Sequence, residues 1–311
     1  LHDGANDKTR SVVLKFMSEK DQFERERDFR EEKALDKQFV VGTLAAFDGD
    51  DDALFAAAVE KEASRDDLKG FHYALVMPAA DRNLQEIFVK ERPDVNKVRS
   101  MMEEVGTALK HLHDKGIMHG DLKMLNVVRV GERLQLIDLD AAATIDEGHA
   151  GAKFSSGTLP PEMFAVLDGG GGDAQQRQFG DYFAEERDGK TELWRKMAPT
   201  RTGKGAVVVK TFDAATGGAG LPYALVDAGE AVDVWAFGLM LFKLCTGDDL
   251  LPVNRDDDLA GPAQVAVAAA WTAAQVRERL GESHVSDPAA FDLLLKLLAP
   301  DPAERMQSMD E

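Results

Sequence analysis

The sequence predicts an α+β fold, with strands gathered toward the N-terminus and helices filling most of the remaining chain. Three observations predict it. β-Branched and apolar runs fall at 11–17, 39–41 and 74–77. Apolar residues recur every three to four positions over 98–115, the period of an amphipathic helix. A short hairpin, 127–130 and 134–137 around Gly131-Glu132-Arg133, is bracketed by acidic, amide and lysine residues.

The elements come in this order. Residues 11–17 (Ser-Val-Val-Leu-Lys-Phe-Met) read as a strand with one lysine, Lys15. Residues 21–35 are charged and helix-prone, with Phe23, Phe29 and Leu35 as sparse apolar marks. Segments 39–41 and 74–77 are strand candidates. The run Asp48-Gly49-Asp50-Asp51-Asp52 between them reads as a solvated turn. Pro78-Ala79-Ala80-Asp81 breaks the pattern and reads as a linker. Residues 84–88 and 98–115 read as helices, the second ended by Gly116. After the hairpin, about 167–229 reads as an insertion. It holds Gly169–Gly172 and a second glycine-rich run at 217–220, with one strand-like stretch at 206–212. Residues 231–305 are mostly helical in pattern.

Composition narrows the function. The chain has 311 residues, 44% of them hydrophobic, enough for two packed lobes or one large domain. The net charge of −19 argues against a nucleic-acid partner, whose phosphates it would repel. The single cysteine, Cys245, excludes an internal disulfide framework. It fits a reducing, cytoplasmic setting and reads as a buried, inert thiol in an apolar helix. No apolar run reaches the ~20 residues of a membrane span. The chain opens on Leu1 and reads as part of a longer product. Trp194, Trp235 and Trp271 read as packing residues.

The chemistry concentrates in His119-Gly120-Asp121-Leu122-Lys123-Met124-Leu125-Asn126, with Asp138 twelve residues beyond the asparagine. Asp121 can orient an attacking hydroxyl. Lys123 can offset charge on a phosphoryl group in the transition state. Asn126 offers a neutral oxygen and Asp138 a charged one to Mg²⁺, a hard cation that prefers such ligands. A single such residue is commonly a surface polar group in a turn. The set at these spacings suits phosphoryl transfer.

These motifs resemble those of the protein kinase family. Residues 117–126 resemble the catalytic loop H-R-D-L-K-x-x-N, and Asp138-Leu139-Asp140 resembles the D-F-G metal site. Pro160-Pro161-Glu162 resembles A-P-E. Asp233-Val234-Trp235-Ala236-Phe237-Gly238 is similar to the D-x-W-x-x-G of the family's central helix, and Asp301-Pro302-Ala303-Glu304-Arg305 to its terminal D-P-x-x-R. The resemblance implies a bilobal fold. Residues 1–79 would form a partial N-lobe without its glycine-rich loop, and 80–311 a C-lobe carrying the insertion.

The resemblance also implies roles. Lys15 would grip the ATP α- and β-phosphates. Val13 and Val128 would flank the adenine, with Met77 as gatekeeper and Ala79 in the hinge. Asp121, Lys123 and Asn126 would be catalytic, and Asn126 and Asp138 would hold Mg²⁺. Glu162 and Arg305 would form a buried ion pair, and Asp233 would bond the backbone near His119. Two acids could pair with Lys15: Asp28 by the family's usual spacing, or Glu26 if the helix carries a two-residue insertion.

Lys123 fits the serine/threonine branch. The implied activity is transfer of the γ-phosphate of MgATP to a serine or threonine of a protein substrate. A regulator could dock at 167–229, although a neutral surface insertion fits that length equally well. A pseudokinase scaffold and a small-molecule kinase of the aminoglycoside or choline type are the alternatives. The chain departs from the family within its two central motifs. Gly120 stands where an arginine is usual, and Asp140 where D-F-G has its glycine.

Overall fold

A computed structural model describes residues 11–62, 68, 70–167, 200–202, 205–212, 221, 223–283 and 285–309. The chain divides into two compact units. The first comprises 1–115 and 124–142, and the second 116–123 and 143–311.

In the first unit, β1 (Val12–Met17), β3 (Tyr73–Pro78) and β2 (Ala45–Asp48) form an antiparallel sheet in the order β1-β3-β2. The register sets Lys15 opposite Leu75 and Val13 opposite Met77. Helix α1 (Lys20–Glu32) packs on this sheet through Phe23, whose ring stacks on Tyr73 at 5.1 Å. The helix is rich in Glu, Arg, Lys and Gln, all good helix formers. Phe23, Glu26 and Arg30 are its buried residues, spaced to share one face. Two of those three are charged, so this helix is held by ion pairing as much as by apolar burial.

Segment 39–41, expected as a strand, forms only an isolated parallel bridge at Val40 with Leu136. Val41 N–H donates to the Leu136 carbonyl at 3.0 Å, and Leu136 N–H donates to that of Phe39 at 2.8 Å. Elements without a sequence signal strong enough to be predicted include β2 and the helix α2 (Ala53–Glu62). Alanine-rich stretches of this kind carry little periodic contrast.

A second sheet in this unit runs β4 (Arg82–Asn83), β6 (Val127–Val130), β7 (Arg133–Leu136). Helix α3 (Leu84–Glu91) starts where Asn83 accepts from the Glu86 N–H at 2.8 Å. Helix α4 (Val95–Asp114) starts about one turn before the predicted 98, because Asp94 caps it by accepting from the Lys97 N–H at 2.8 Å. Its apolar stripe, from Val98 through Met101 and Val105 to Leu112, is buried.

In the second unit, β5 (Ile117–Met118) pairs with β8 (Ala143–Thr144). A three-stranded antiparallel sheet runs β10 (Thr200–Thr202), β11 (Gly205–Val209), β9 (Phe164–Leu167). The predicted strand at 206–212 therefore ends at Val209. The glycine runs of the expected insertion and Trp194 lie outside the described residues.

The long helix α5 (Glu230–Thr246) carries the fully buried Trp235 and Phe242. After it come α6 (Pro262–Ala268), α7 (Ala273–Glu282) and α8 (Pro288–Leu297). Gly238 lets α5 and α8 approach closely, since a Cβ there would lie 2.9 Å from Leu297 Cβ and from Leu298 Cδ2. Cys245, expected to be buried, is exposed. It follows the buried Leu244 and turns outward on α5. Partial desolvation and then Asp287 raise its thiol pKa, which favours the protonated thiol. Among the described residues, no helix is long and apolar enough to cross a membrane.

Candidate active site

Lys15 is the centre of the site in the first unit. It lies in β1, and its ammonium contacts the carboxylates of Glu26 and Asp138 directly and that of Asp140 at 3.3 Å. Burial pulls the lysine pKa down. The fields of Glu26, Asp140 and Asp138 outweigh that effect and hold it above the ordinary lysine value.

Glu26 is fully buried on α1, and its second oxygen pairs with Arg30 Nη1 at 2.9 Å. Asp28, the other candidate partner, pairs with Arg27 at 2.7 Å and is 41% exposed on its side chain. Two positions along a helix amount to about 200° of rotation, which separates the two fates. Glu26 shares the face of Phe23, and Asp28 does not.

Asp138 follows β7 with φ 68°, in the left-handed region that aspartate tolerates better than most residues. A 3₁₀ turn, Leu139–Ala141, follows it. Arg25 Nη1 on α1 donates to the Asp140 carbonyl at 2.6 Å, which ties this turn to the helix. Asn126 ends the 3₁₀ turn Met124–Asn126 and is buried. Its carbonyl accepts from Ile137 N–H at 3.0 Å, just ahead of Asp138.

Met77 and Val128 are buried together with Val41, against Ala80 and Ile137. Val13 is 47% exposed and is not part of that buried group. Ala79 is half-buried, its N–H donating to the Ser11 carbonyl at 3.1 Å.

Asp138 offers a carboxylate and Asn126 an amide oxygen, hard donors of the kind that magnesium takes. Glu26, Asp138 and Asp140 each bring a carboxylate oxygen within 4.8 Å of the others, and the Lys15 ammonium is the countercharge among them. Lys15 binds the same cluster and offers the cation that a phosphate oxygen would need.

The second unit carries Asp121 and Lys123. Asp233 on α5 accepts from the backbone N–H of His119 at 2.7 Å and of Gly120 at 2.9 Å. This carboxylate clamp holds the loop in place. Gly120 sits at φ 79°, where a side chain would be strained. Asp121 is 1% exposed, and Lys123 Nζ lies 3.0 Å from its Oδ2. Lys123 also donates to Ser155 Oγ at 2.8 Å.

Next to Ser155, Ser156 N–H and Oγ both bond Asp258 Oδ1, at 2.8 and 3.0 Å. Gly157 N–H donates to the Asp257 carbonyl at 2.9 Å. Burial raises the Asp257 carboxyl pKa despite the opposing fields of Lys123 and Lys243. Glu162 forms a two-pronged ion pair with Arg305, at 2.7 and 2.9 Å. Arg305 also donates to the Ala231 carbonyl at 2.7 Å and lies over the Trp235 ring at 5.1 Å.

Sequence reasoning missed four residues of this site: Arg25, Arg30, Val41 and Asp140 as a partner of Lys15. Arg30 carried a usable signal, an arginine four residues after a glutamate on a helix. Asp140 showed only as a missing glycine, which says nothing of where a carboxylate would point.

The family model for the protein kinase domain matches residues 4–164, just over half of the chain. The match spans Lys15, Glu26, Asp121, Asn126, Asp138 and Glu162, and stops short of Asp233 and Arg305. No curated protein matches the chain significantly.

Proposed function

Because the chain belongs to the protein kinase domain family, we propose that it transfers the γ-phosphate of ATP to a serine or threonine hydroxyl of a protein substrate. The observation that supports the reading best is the Lys15 ammonium, held between Glu26 of α1 and Asp138 after β7.

In this reading Lys15 holds the α- and β-phosphates, and Glu26 fixes the lysine so that little reorganisation is needed. Met77, Val41 and Val128 form the apolar wall for the base. Asp138 and Asn126 would hold magnesium, which neutralises charge on the transferring phosphate when bound. Asp121 accepts a hydrogen bond from the attacking hydroxyl, aligns it, and takes up its proton. Lys123 offsets charge on the phosphoryl oxygens, and its bond to Ser155 keeps its amine from wandering.

Lys123 two residues after Asp121 favours a serine/threonine acceptor over tyrosine. The motifs around Glu162, Trp235 and Arg305 favour a protein substrate over an aminoglycoside or choline. A cytoplasmic location and a regulator bound at 167–229 belong to the same proposal.

The test is phosphate transfer to a degenerate peptide library, run beside sugars and amino alcohols. Asp121→Asn should cut transfer by about 10²–10⁴-fold, the usual worth of a positioned base. It should leave Mg·ATP binding within a few-fold. Nucleotide binding without transfer to any acceptor would point instead to a pseudokinase. The presence of Asp140 beside Lys15 favours that second reading.

A further inference from the structure

Arg25 has no part in the chemistry proposed above, yet it touches the turn that carries one of its residues. Asp138 sits at φ 68°, and Leu139–Ala141 follow it as a short 3₁₀ turn. Backbone in the left-handed region persists only where its surroundings hold it. Upstream, Ile137 N–H donates to the Asn126 carbonyl at 3.0 Å. Downstream, Ala142 N–H donates to the Leu139 carbonyl at 3.1 Å. The last carbonyls of so short a helix find no partner within it. That of Asp140 belongs to a residue only 1% exposed. A buried carbonyl left without a donor is costly. Arg25 Nη1 supplies the donor, at 2.6 Å.

The other contact of this guanidinium is weaker. Nη2 lies 3.5 Å from Asp21, one helical turn back, whose side chain is 66% exposed. An exposed pair of that kind contributes little. The Asp140 carbonyl is therefore what orders the Arg25 side chain, itself mostly buried. Glu26, the next residue on α1, meets Lys15, and Lys15 meets Asp138 and Asp140. Consecutive residues on a helix point about 100° apart. With one side chain α1 reaches the lysine, and with its neighbour it reaches the turn that the lysine contacts.

We propose that Arg25 is a positioning residue for phosphoryl transfer: its bond to the Asp140 carbonyl fixes the turn that keeps Asp138 beside Lys15. Arg25 acts through Asp138 and meets no reacting atom itself. The consequence for the reaction rests on the role proposed for Asp138 in holding magnesium. The hold on the turn does not.

Hydrogen exchange in the ligand-free 311-residue chain tests the hold. Arg25→Met keeps an unbranched side chain and removes its donors and charge. In that variant the Ala142 amide should exchange at least about tenfold faster, the worth of one charge-assisted hydrogen bond. The amides of α1 should change by less than about twofold. Arg25→Lys can still donate to the carbonyl and should restore slow exchange. If Arg25→Met does not fold, Arg25→Gln, whose amide stops two bonds short of Nη1, takes its place with the same expectations. Calorimetry reads the consequence for the site. Magnesium should raise the affinity of the native chain for ATP, and Arg25→Met should shrink that gain at least about fivefold. Affinity for ATP without magnesium should stay within about threefold of native, because Lys15 and Glu26 are untouched.

Unchanged exchange at Ala142 would overturn the proposal. So would equal acceleration at Ala142 and throughout α1, which would make Arg25 a stabiliser of its own helix and nothing more. Faster exchange with the magnesium gain intact would overturn the link from the turn to the reaction. A native chain that binds no Mg·ATP would overturn the role proposed for Asp138, and the exchange comparison would still decide whether Arg25 holds the turn.

Discussion

Glu162→Ala is the sharpest probe of how the second unit is held. Arg305 is fully buried on its side chain, and Glu162 is 16% exposed. Removing the glutamate strands a guanidinium in the interior, a change that costs about 3–5 kcal/mol when the pair is buried. Part of that is relieved here. Arg305 keeps the carbonyls of Ala231 at 2.7 Å and Ala299 at 3.0 Å, as well as the Trp235 face at 5.1 Å. Water can reach the space left by a partly exposed carboxylate, so the expected loss is at the lower end, about 3 kcal/mol.

At about 2–4 °C per kcal/mol for a domain of this size class, Tm should fall by roughly 6–12 °C. Urea titration followed by tryptophan fluorescence suits the measurement, because Trp235 and Trp271 both belong to the second unit. A double-mutant cycle with Arg305→Met isolates the pair from the carbonyl contacts. A coupling energy of about 2–3 kcal/mol is expected. A value below about 0.5 kcal/mol would refute the reasoning, since such a pair would be worth no more than an exposed one.

Three further outcomes are expected. Lys15 has a folded pKa raised above its ordinary 10.5, so its charge stabilises the fold fully below that pH and progressively less as the pH climbs beyond it. The urea midpoint of the native chain should therefore fall between about pH 9 and 11.5 by more than that of Lys15→Met. Parallel curves would count against the ion cluster. Gly238→Ala pushes a methyl against Leu297 and Leu298 and should cost about 1–3 kcal/mol by urea titration, with no effect if α5 and α8 can part freely. Asp140→Asn removes one negative charge from the Lys15 cluster and should tighten binding of ATP measured without magnesium several-fold, as Coulomb's law requires at such range. Unchanged or weaker binding would remove Asp140 from the nucleotide site.

The fold class could be read ahead of the structure because its main elements carry strong periods. The stripe of α4 and the β-branched run of β1 are of that kind. The elements that escaped were weak in contrast. Segment 39–41 looks like a strand, but only Val40 finds a partner, and one bridge does not make a ladder. The short β2 holds its place because β3 offers it an edge, a fact of tertiary structure that no local window contains. Cys245 looked buried because its neighbours are apolar. On a helix, one position is about 100° of rotation, enough to turn Leu244 inward and Cys245 out.

The choice between Glu26 and Asp28 depended on the same rotation. Counting residues from a family spacing could not resolve it, because a helix two residues out of step presents a different face. Burial resolves it: the side that carries Phe23 into Tyr73 also carries Glu26 and Arg30 inward. A helix with that inner face cannot be held by apolar burial alone. Glu26 must be met by cations, and it is met by Lys15 and Arg30. The lysine expected to grip phosphate is therefore also part of what docks α1 on its sheet. A phosphate that draws Lys15 away from Glu26 leaves Arg30 as the remaining cation on that carboxylate. If Lys15 grips phosphate as proposed, stability of the helix and affinity for the nucleotide are two readings of one charge network, and a change to Lys15, Glu26 or Arg30 should move both.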